Sequence, residues 1–161
     1  MGWMKSEASL EQIERVYRDR LPDFRRVAAA IAGDRELARD AVQEAFALAV
    51  RRRATFRDEG SLEAWLWRIV VNTARSQARR LRPPASPLAT SNGHHDAGAD
   101  RVRAALALLP VRQRLIVFLH YYADLDYATI AEALEISSGT VGATLHSART
   151  AMRDLLEEMP T

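Results

Sequence analysis

Tyr127 to Arg149 reads YATIAEALEISSGTVGATLHSAR, and the spacing of its apolar residues decides the fold class. Ile130, Ala131 and Leu134 share one face of a short helix. Ile136-Ser137-Ser138-Gly139 has the composition of a tight turn, with Thr140 as a hydroxyl N-cap. Val141, Leu145, Ala148 and Met152 then run at spacings of 4, 3 and 4 along a second helix. Ala131 is small where the two helices would cross. Two short helices about a Gly-containing turn predict a helix-turn-helix, although an ordinary αα-hairpin has the same local pattern.

The same helical periodicity extends through the chain. Toward the N-terminus come Leu115–Tyr122 and Val102–Leu109, with Pro110 opening the segment between them. Residues 83–99 hold Pro83, Pro84, Pro87, Gly93 and Gly98 among Ser, Thr and Asn, which is linker composition. Before them the front part carries three helices. Ser9-Leu10-Glu11-Gln12 has the form of a capping box, and Pro22 predicts a kink or break in the helix that follows. Gly33-Asp34 ends that helix and starts a second, whose stripe is Leu37, Ala38, Ala41, Val42, Ala45, Phe46 and Ala49. Ser61 caps a third, from Leu62 to about Leu81, with Trp65, Ile69 and Val70 on its buried side. The expected architecture is all-α: two small helical domains, 9–82 and 100–159, joined by a flexible linker at 83–99, the second containing the helix-turn-helix.

Of 161 residues none is cysteine, which excludes disulfides, thiolate metal sites and a cysteine nucleophile. His94 and His95 sit together in the linker, and His120 and His146 are isolated, so no metal site is expected. No glycine cluster builds a phosphate-cradling loop followed by Lys-Ser/Thr. Neither catalysis nor a cofactor is expected. No run of eighteen apolar residues and no signal-peptide pattern occurs, so a cytoplasmic location is expected. Net charge is +2, but it divides unevenly: residues 1–82 carry +5 and residues 83–161 carry −3. Ala45–Arg82 alone holds nine Arg against three acidic residues. Arginine forks onto phosphate and stacks on bases, though GC-rich coding also favours it over lysine.

Two further patterns carry chemistry. Arg68, Asn72, Arg75 and Arg79 fall at spacings of 4, 3 and 4 and line one face of the third helix, followed by Arg80. Cations with an amide among them suit a nucleic-acid strand, the cations holding phosphates and the amide reading a base edge. Phe56 and Trp67 offer flat surfaces for an unpaired base, Trp67 serving equally as core. On the second helix Asp40, Gln43, Glu44 and Ala47 form a polar strip beside Phe46, suited to docking on a basic protein surface or simply solvated.

In order, Asp40–Phe46, Trp65–Arg75, Leu109–Arg114 and Tyr127–Arg149 make the chain resemble an extracytoplasmic-function RNA polymerase sigma factor of the two-domain kind. The resemblance covers roughly residues 10–82 and 100–158. It implies that Asp40, Gln43, Glu44, Phe46 and Ala47 bind core RNA polymerase. It implies that Phe56, Trp67, Arg68, Asn72, Arg75, Arg79 and Arg80 capture and melt the minus-ten promoter element, with Asn72 and Phe56 in a base pocket. Ser138, Thr140, Ala143, Thr144, His146, Ser147 and Arg149 would contact duplex DNA. It also implies an anti-sigma protein as partner.

One departure from the family pattern weakens the last contact. The family places several Lys or Arg after the Thr-Val pair, whereas Gly142, Ala143 and Thr144 stand here. Phosphate neutralisation supplies most non-specific DNA affinity, so this domain should hold DNA weakly by itself. The function implied is a transcription initiation factor that binds core polymerase, directs it to promoters and helps melt the DNA. The rivals are a sigma-like module that sequesters a regulator without reading DNA, and an ordinary helix-turn-helix repressor.

Overall fold

Ser9 starts the first helix reciprocally: its Oγ accepts from the Gln12 amide at 3.1 Å, and Gln12 Oε1 accepts from the Ser9 amide at 2.9 Å. The computed structural model describes residues 7–57, 60–81 and 97–159; these form seven α-helices and no strand. Helix α1 (Leu10–Ala32) continues through Pro22, so of the kink or break expected there the break does not occur. Ile13 is buried before the proline and Phe24, Val27 and Ala28 after it, so one apolar face holds both halves to the same core. Gly33 ends the helix at φ 74°, a left-handed geometry suited to glycine, and donates to Ala29 O at 2.8 Å.

Asp34 then caps α2 (Arg35–Arg52), accepting from the Leu37 amide at 2.9 Å. The inner face of α2 is mostly alanine, namely Ala38, Ala41, Ala45 and Ala49, which lets its neighbours approach closely. A short 3-10 turn at Arg53–Thr55 leads to Phe56, and Ser61 caps α3 (Leu62–Arg80). The core of this front body is aromatic. Phe24 lies against Trp67 with ring centroids 4.3 Å apart and against Phe46 at 5.1 Å, while Tyr17 meets Phe46 at 4.7 Å. Each large side chain enclosed here stabilises the fold by about 1.5–3 kcal/mol.

Residues 83–96 of the expected linker lie outside the described residues. Residues 97–99 are already helical, so α4 (Ala97–Leu108) begins inside the stretch assigned to the linker. The second body adds α5 (Val111–Tyr121), α6 (Tyr127–Leu134) and α7 (Ser138–Glu158). Ile116, Leu119, Ile130, Val141 and Leu145 are its most enclosed large side chains. Arg101 closes the far end of α7, donating to Leu156 O at 2.7 Å and Met159 O at 2.9 Å.

The helix-turn-helix is present, with its turn earlier than expected. Glu135 takes the left-handed conformation at φ 57°, and the Ile136 amide donates back to Ala131 O at 2.9 Å. Ser137, not Thr140, is the N-cap of α7, its Oγ accepting from the Thr140 amide at 3.0 Å. Gly139 therefore lies in the first helical turn. Two hydroxyls stood three residues apart, and the cap fell to the one whose backbone was still extended.

The two bodies touch. Helix α3 packs against α6, and α1 against α5. Arg20 spans one contact, donating to Ala123 O at 2.8 Å while paired with Glu63 at 2.6 Å and Asp23 at 3.2 Å. At the other, Glu132 Oε1 accepts from the Ser61 amide at 2.8 Å, and Arg68 lies 3.4 Å from Glu135.

Candidate nucleic-acid interface

Helix α3 turns its apolar side to α1 and α2, which leaves its opposite face for polar work. The residues buried are Ala64, Leu66, Trp67, Val70, Val71, Thr73 and Ala74. Val70 is where the periodicity placed it, but the centre of the buried stripe is shifted, and Trp65 and Ile69 are only half-buried. Trp67 is wholly enclosed, at 0% exposure against Phe24, so it cannot present a ring to a base. The aromatic that reaches the outer face is Trp65. Its ring meets Phe56 edge-on at 5.5 Å. Trp67 takes the core role, one of the two open to it, while Trp65, expected in the core, is the half-buried ring at the outer face. Their spacing carried the signal, since Trp65 precedes Arg68 and Asn72 by three and seven residues and shares their face.

Two adjoining cavities open on this face, with Trp65 and Arg68 as a common wall. One, of about 450 Å³, is further lined by Thr55, Phe56, Gly60 and Glu132. The other, of about 370 Å³, is lined by Asn72, Ser76, Arg80 and Arg52 among others. Arg52, Thr55 and Ser76 were not foreseen as site residues. Arg52 and Thr55 come from the end of α2 and the turn after it, which only the fold brings to α3, whereas Ser76 lies one turn beyond Asn72 and was legible in the spacing. Phe56 is mostly buried, at 8% exposure, and acts as a floor behind Trp65. Asn72, Arg79 and Arg80 are exposed, and Arg68 and Arg75 half-buried.

The cations differ in their surroundings. Arg80 reaches Ser76 Oγ at 3.3 Å and lies 4.0 Å from Glu44. The Arg75 guanidinium holds its proton less firmly than usual, first because it is partly buried and then because Arg79 and Arg112 face it with like charge. An arginine so crowded is stabilised by an arriving anion.

On α2, Asp40, Gln43, Glu44 and Ala47 are all exposed, as their spacing implied. Phe46 is not part of that surface. It is 8% exposed and packs edge-on against Tyr17 and Phe24, so it anchors the strip from beneath. Gln77 donates to Glu44 at 2.6 Å, tying the strip to α3.

On α7, Ser138, Ala143, His146, Ser147 and Arg149 are exposed and Thr140 and Thr144 half-buried. Thr140 Oγ1 lies 2.8 Å from Ser137 Oγ. Arg149 Nε donates to Tyr121 OH at 2.7 Å, and this bond is the chief reason its guanidinium holds its proton more firmly than usual. The Tyr127 ring rests over Gly142, where an added Cβ would come within 3.4 Å, so a larger residue there would press on the ring. His120 Nδ1 lies 2.9 Å from Leu125 O, engaged in the turn before α6. Among the described residues no group of three metal-ligating side chains occurs, and no helix is long and apolar enough to cross a membrane. His94 and His95 lie outside the described residues.

Comparison with known proteins matches both bodies. Residues 16–83 match the family model for sigma-70 region 2, and residues 99–152 that for sigma-70 region 4. The RNA polymerase sigma-E factor of Streptomyces coelicolor is 31% identical over 155 residues, covering 90% of this chain and 86% of the relative. The ECF RNA polymerase sigma factor SigM of Mycobacterium tuberculosis is 30% identical over 154 residues, covering 92% and 79%. Among solved structures, CnrH in complex with the cytosolic domain of CnrY superposes with a TM-score of 0.74 at 20% identity, covering 95% of this chain and 92% of that one. RpoE from Bartonella quintana, in complex with the anti-sigma factor NepR, gives 0.72 at 22% identity, covering 94% and 100%. At those identities the likeness is one of fold.

Proposed function

The chain belongs to the sigma-70 family and is a transcription initiation sigma factor of the extracytoplasmic-function type, and from that premise we propose how its residues divide the work. The α2 strip of Asp40, Gln43, Glu44 and Ala47, seated on Phe46, docks on core RNA polymerase. The cavities on α3 capture the displaced promoter strand at the minus-ten element. There Trp65, backed by the buried Phe56, supplies the flat apolar surface, Asn72 reads a base edge, and Arg68 and Arg80 hold phosphates, while Arg75 and Arg79, outside the cavity walls, meet the strand beyond them. The exposed face of α7, at Ser138, Thr140, Ala143, Thr144, His146, Ser147 and Arg149, aligns the complex on upstream duplex. The domain boundaries this implies are 9–82 and 97–159.

The observation that carries this reading is the convergence of Trp65, Arg68 and Asn72 on one outward-opening pair of cavities. Flipping a base out of the duplex costs a few kcal/mol. An aromatic platform beside an amide and several guanidinium groups offsets that cost once the polymerase holds strand and protein in register. The chain acts in the cytoplasm, carries out no catalysis of its own, and is held in check by an anti-sigma protein, a partner of the kind found in complex with RpoE of Bartonella quintana.

Transcription with core polymerase on a genomic DNA template tests the reading. Promoter-directed transcripts that need this chain, together with permanganate-reactive thymines at the minus-ten element, are the expected result. Replacing Asn72 and Arg75 by Ala removes both signals. A factor that merely sequestered a regulator would keep its effect after those substitutions, and a plain repressor would bind duplex tightly without polymerase.

A further inference from the structure

Two tyrosines to which the division of work above gives no task meet at Arg149. Tyr121 is the last residue of α5, Tyr127 the first of α6, and Arg149 lies on α7. Tyr121 is 54% exposed, yet its hydroxyl is engaged: it accepts from Arg149 Nε at 2.7 Å, and its ring centroid lies 5.8 Å from the guanidinium carbon. The Tyr127 hydroxyl acts on the same group, adding to the firmness with which it holds its proton. His120 packs edge-on against both rings, with centroids 4.8 Å from Tyr121 and 5.4 Å from Tyr127, and its own Nδ1 is engaged with Leu125 O. The Tyr127 ring has room to lie there because residue 142 is a glycine.

An arginine offers five N–H donors in a planar fork and carries much rotamer freedom, which it loses on taking one pose. Here the pose is set in advance. Tyr121 takes the Nε–H and so fixes the plane of the guanidinium, while Arg149 remains exposed. Its place on the helix says what it meets. The first residues of a recognition helix reach base edges, and its far end runs beside the backbone; Arg149 lies about three turns beyond Ser138, at roughly 3.6 residues per turn. Gly142, Ala143 and Thr144 bring no cation, and Arg153 further along lies 3.7 Å from Asp154, so the positive charge of this face rests chiefly on Arg149.

We propose that Tyr121 and Tyr127 are positioning residues for upstream recognition: they brace Arg149 so that its guanidinium meets a backbone phosphate of the duplex already oriented, one prearranged cation standing in for the mobile ones that the first turns of α7 lack. This rests on the reading of α7 as the face that aligns the complex on duplex DNA. A group ordered before it binds spares the entropy of ordering on contact, and the affinity gains by that amount.

The test uses the full chain with core polymerase, on a duplex promoter fragment recovered by transcription of genomic DNA, with binding measured over a range of salt concentrations. Arg149→Ala should weaken binding about tenfold and lower the slope of log affinity against log salt by about one, as loss of a phosphate contact does. Tyr121→Phe keeps the ring and loses only the hydroxyl; it should weaken binding about fivefold, the worth of an ordinary hydrogen bond. Tyr127→Phe should act in the same direction and less. In an Arg149→Ala background neither tyrosine substitution should change anything further, because each acts through the arginine. Arg149→Lys keeps the charge without the Nε–H and should bind no better than Tyr121→Phe. In the free chain carrying isotope-labelled arginine, the Arg149 Nε–H resonance, assigned by its loss in Arg149→Lys, should exchange slowly with water and lose that protection in Tyr121→Phe. Additive losses from Tyr121→Phe and Arg149→Ala overturn the proposal, and so does an Nε–H resonance that Tyr121→Phe leaves unchanged. Full affinity in Arg149→Ala, or a genomic template that yields no promoter-directed transcript, overturns it through the reading of α7 on which it rests. The resonance measurement needs no DNA, so failure of the brace and failure of that reading are distinguishable.

Discussion

The rings of Phe24 and Trp67 meet with centroids 4.3 Å apart at a tilt of 47°, and both side chains are 0% exposed. This pair joins α1 to α3, so the face of α3 turned to solvent is fixed by a contact on its other side. Truncating Trp67 to Ala leaves a cavity at that junction and costs about 3–5 kcal/mol of stability. Trp65→Ala, by contrast, costs about 1 kcal/mol while it removes promoter opening. Guanidinium unfolding curves beside permanganate footprints measure the two. Equal destabilisation by both substitutions would contradict the assignment of one ring to the core and the other to the strand.

The polar strip on α2 makes a different kind of prediction. Asp40 and Gln43 are exposed and form no described contact with the rest of the fold, so Asp40→Ala with Gln43→Ala leaves folding stability within about 0.5 kcal/mol. Retention on immobilised core polymerase should fall by about tenfold or more, as expected where a charged contact in an interface is lost. Wild-type retention by the double variant would move the docking surface elsewhere.

Position 137 separates the two hydroxyls at the head of α7. Ser137→Ala removes the side chain that accepts from the Thr140 amide and costs about 1 kcal/mol. Thr140→Ala leaves that bond intact and costs less. Thermal unfolding of the two variants decides which residue caps the helix.

Acid should loosen the helix-turn-helix at its first helix. The Asp126 carboxyl accepts from the Thr129 amide at 2.7 Å, and this bond lowers its proton affinity below the usual carboxylate range. A group whose folded value is depressed contributes stability above its unfolded value and loses that contribution as pH falls through the folded one. Unfolding midpoints measured from neutral pH downward should therefore drop through the carboxylate range. Asp126→Asn, which keeps a capping oxygen without a charge, should flatten part of that slope. An identical slope in the variant would show that Asp126 contributes nothing to it.

Several features were legible in the sequence because they are local. The capping box at Ser9 and Gln12, the Gly33-Asp34 boundary, the Ser61 cap and the existence of the helix-turn-helix each depend on residues within one or two turns of each other. Others were misplaced because local pattern admits two solutions. Trp65 and Trp67 lie two residues apart, and periodicity alone does not say which faces the core. Phe46 was set beside a polar strip that it in fact supports from below, held there by Tyr17 and Phe24 from another helix.

By itself the sequence determined the helical alphabet, the order of the four motifs and the uneven charge, since each is written in short-range spacing. The tertiary structure alone decided which tryptophan is enclosed, that Arg52 and Thr55 share a cavity rim with Asn72, and that Glu132 reaches Ser61 across 71 positions of chain. Such contacts depend on which faces the packed helices turn to one another. That choice is made by the mutual burial of side chains distant in sequence, and no short window of residues contains it.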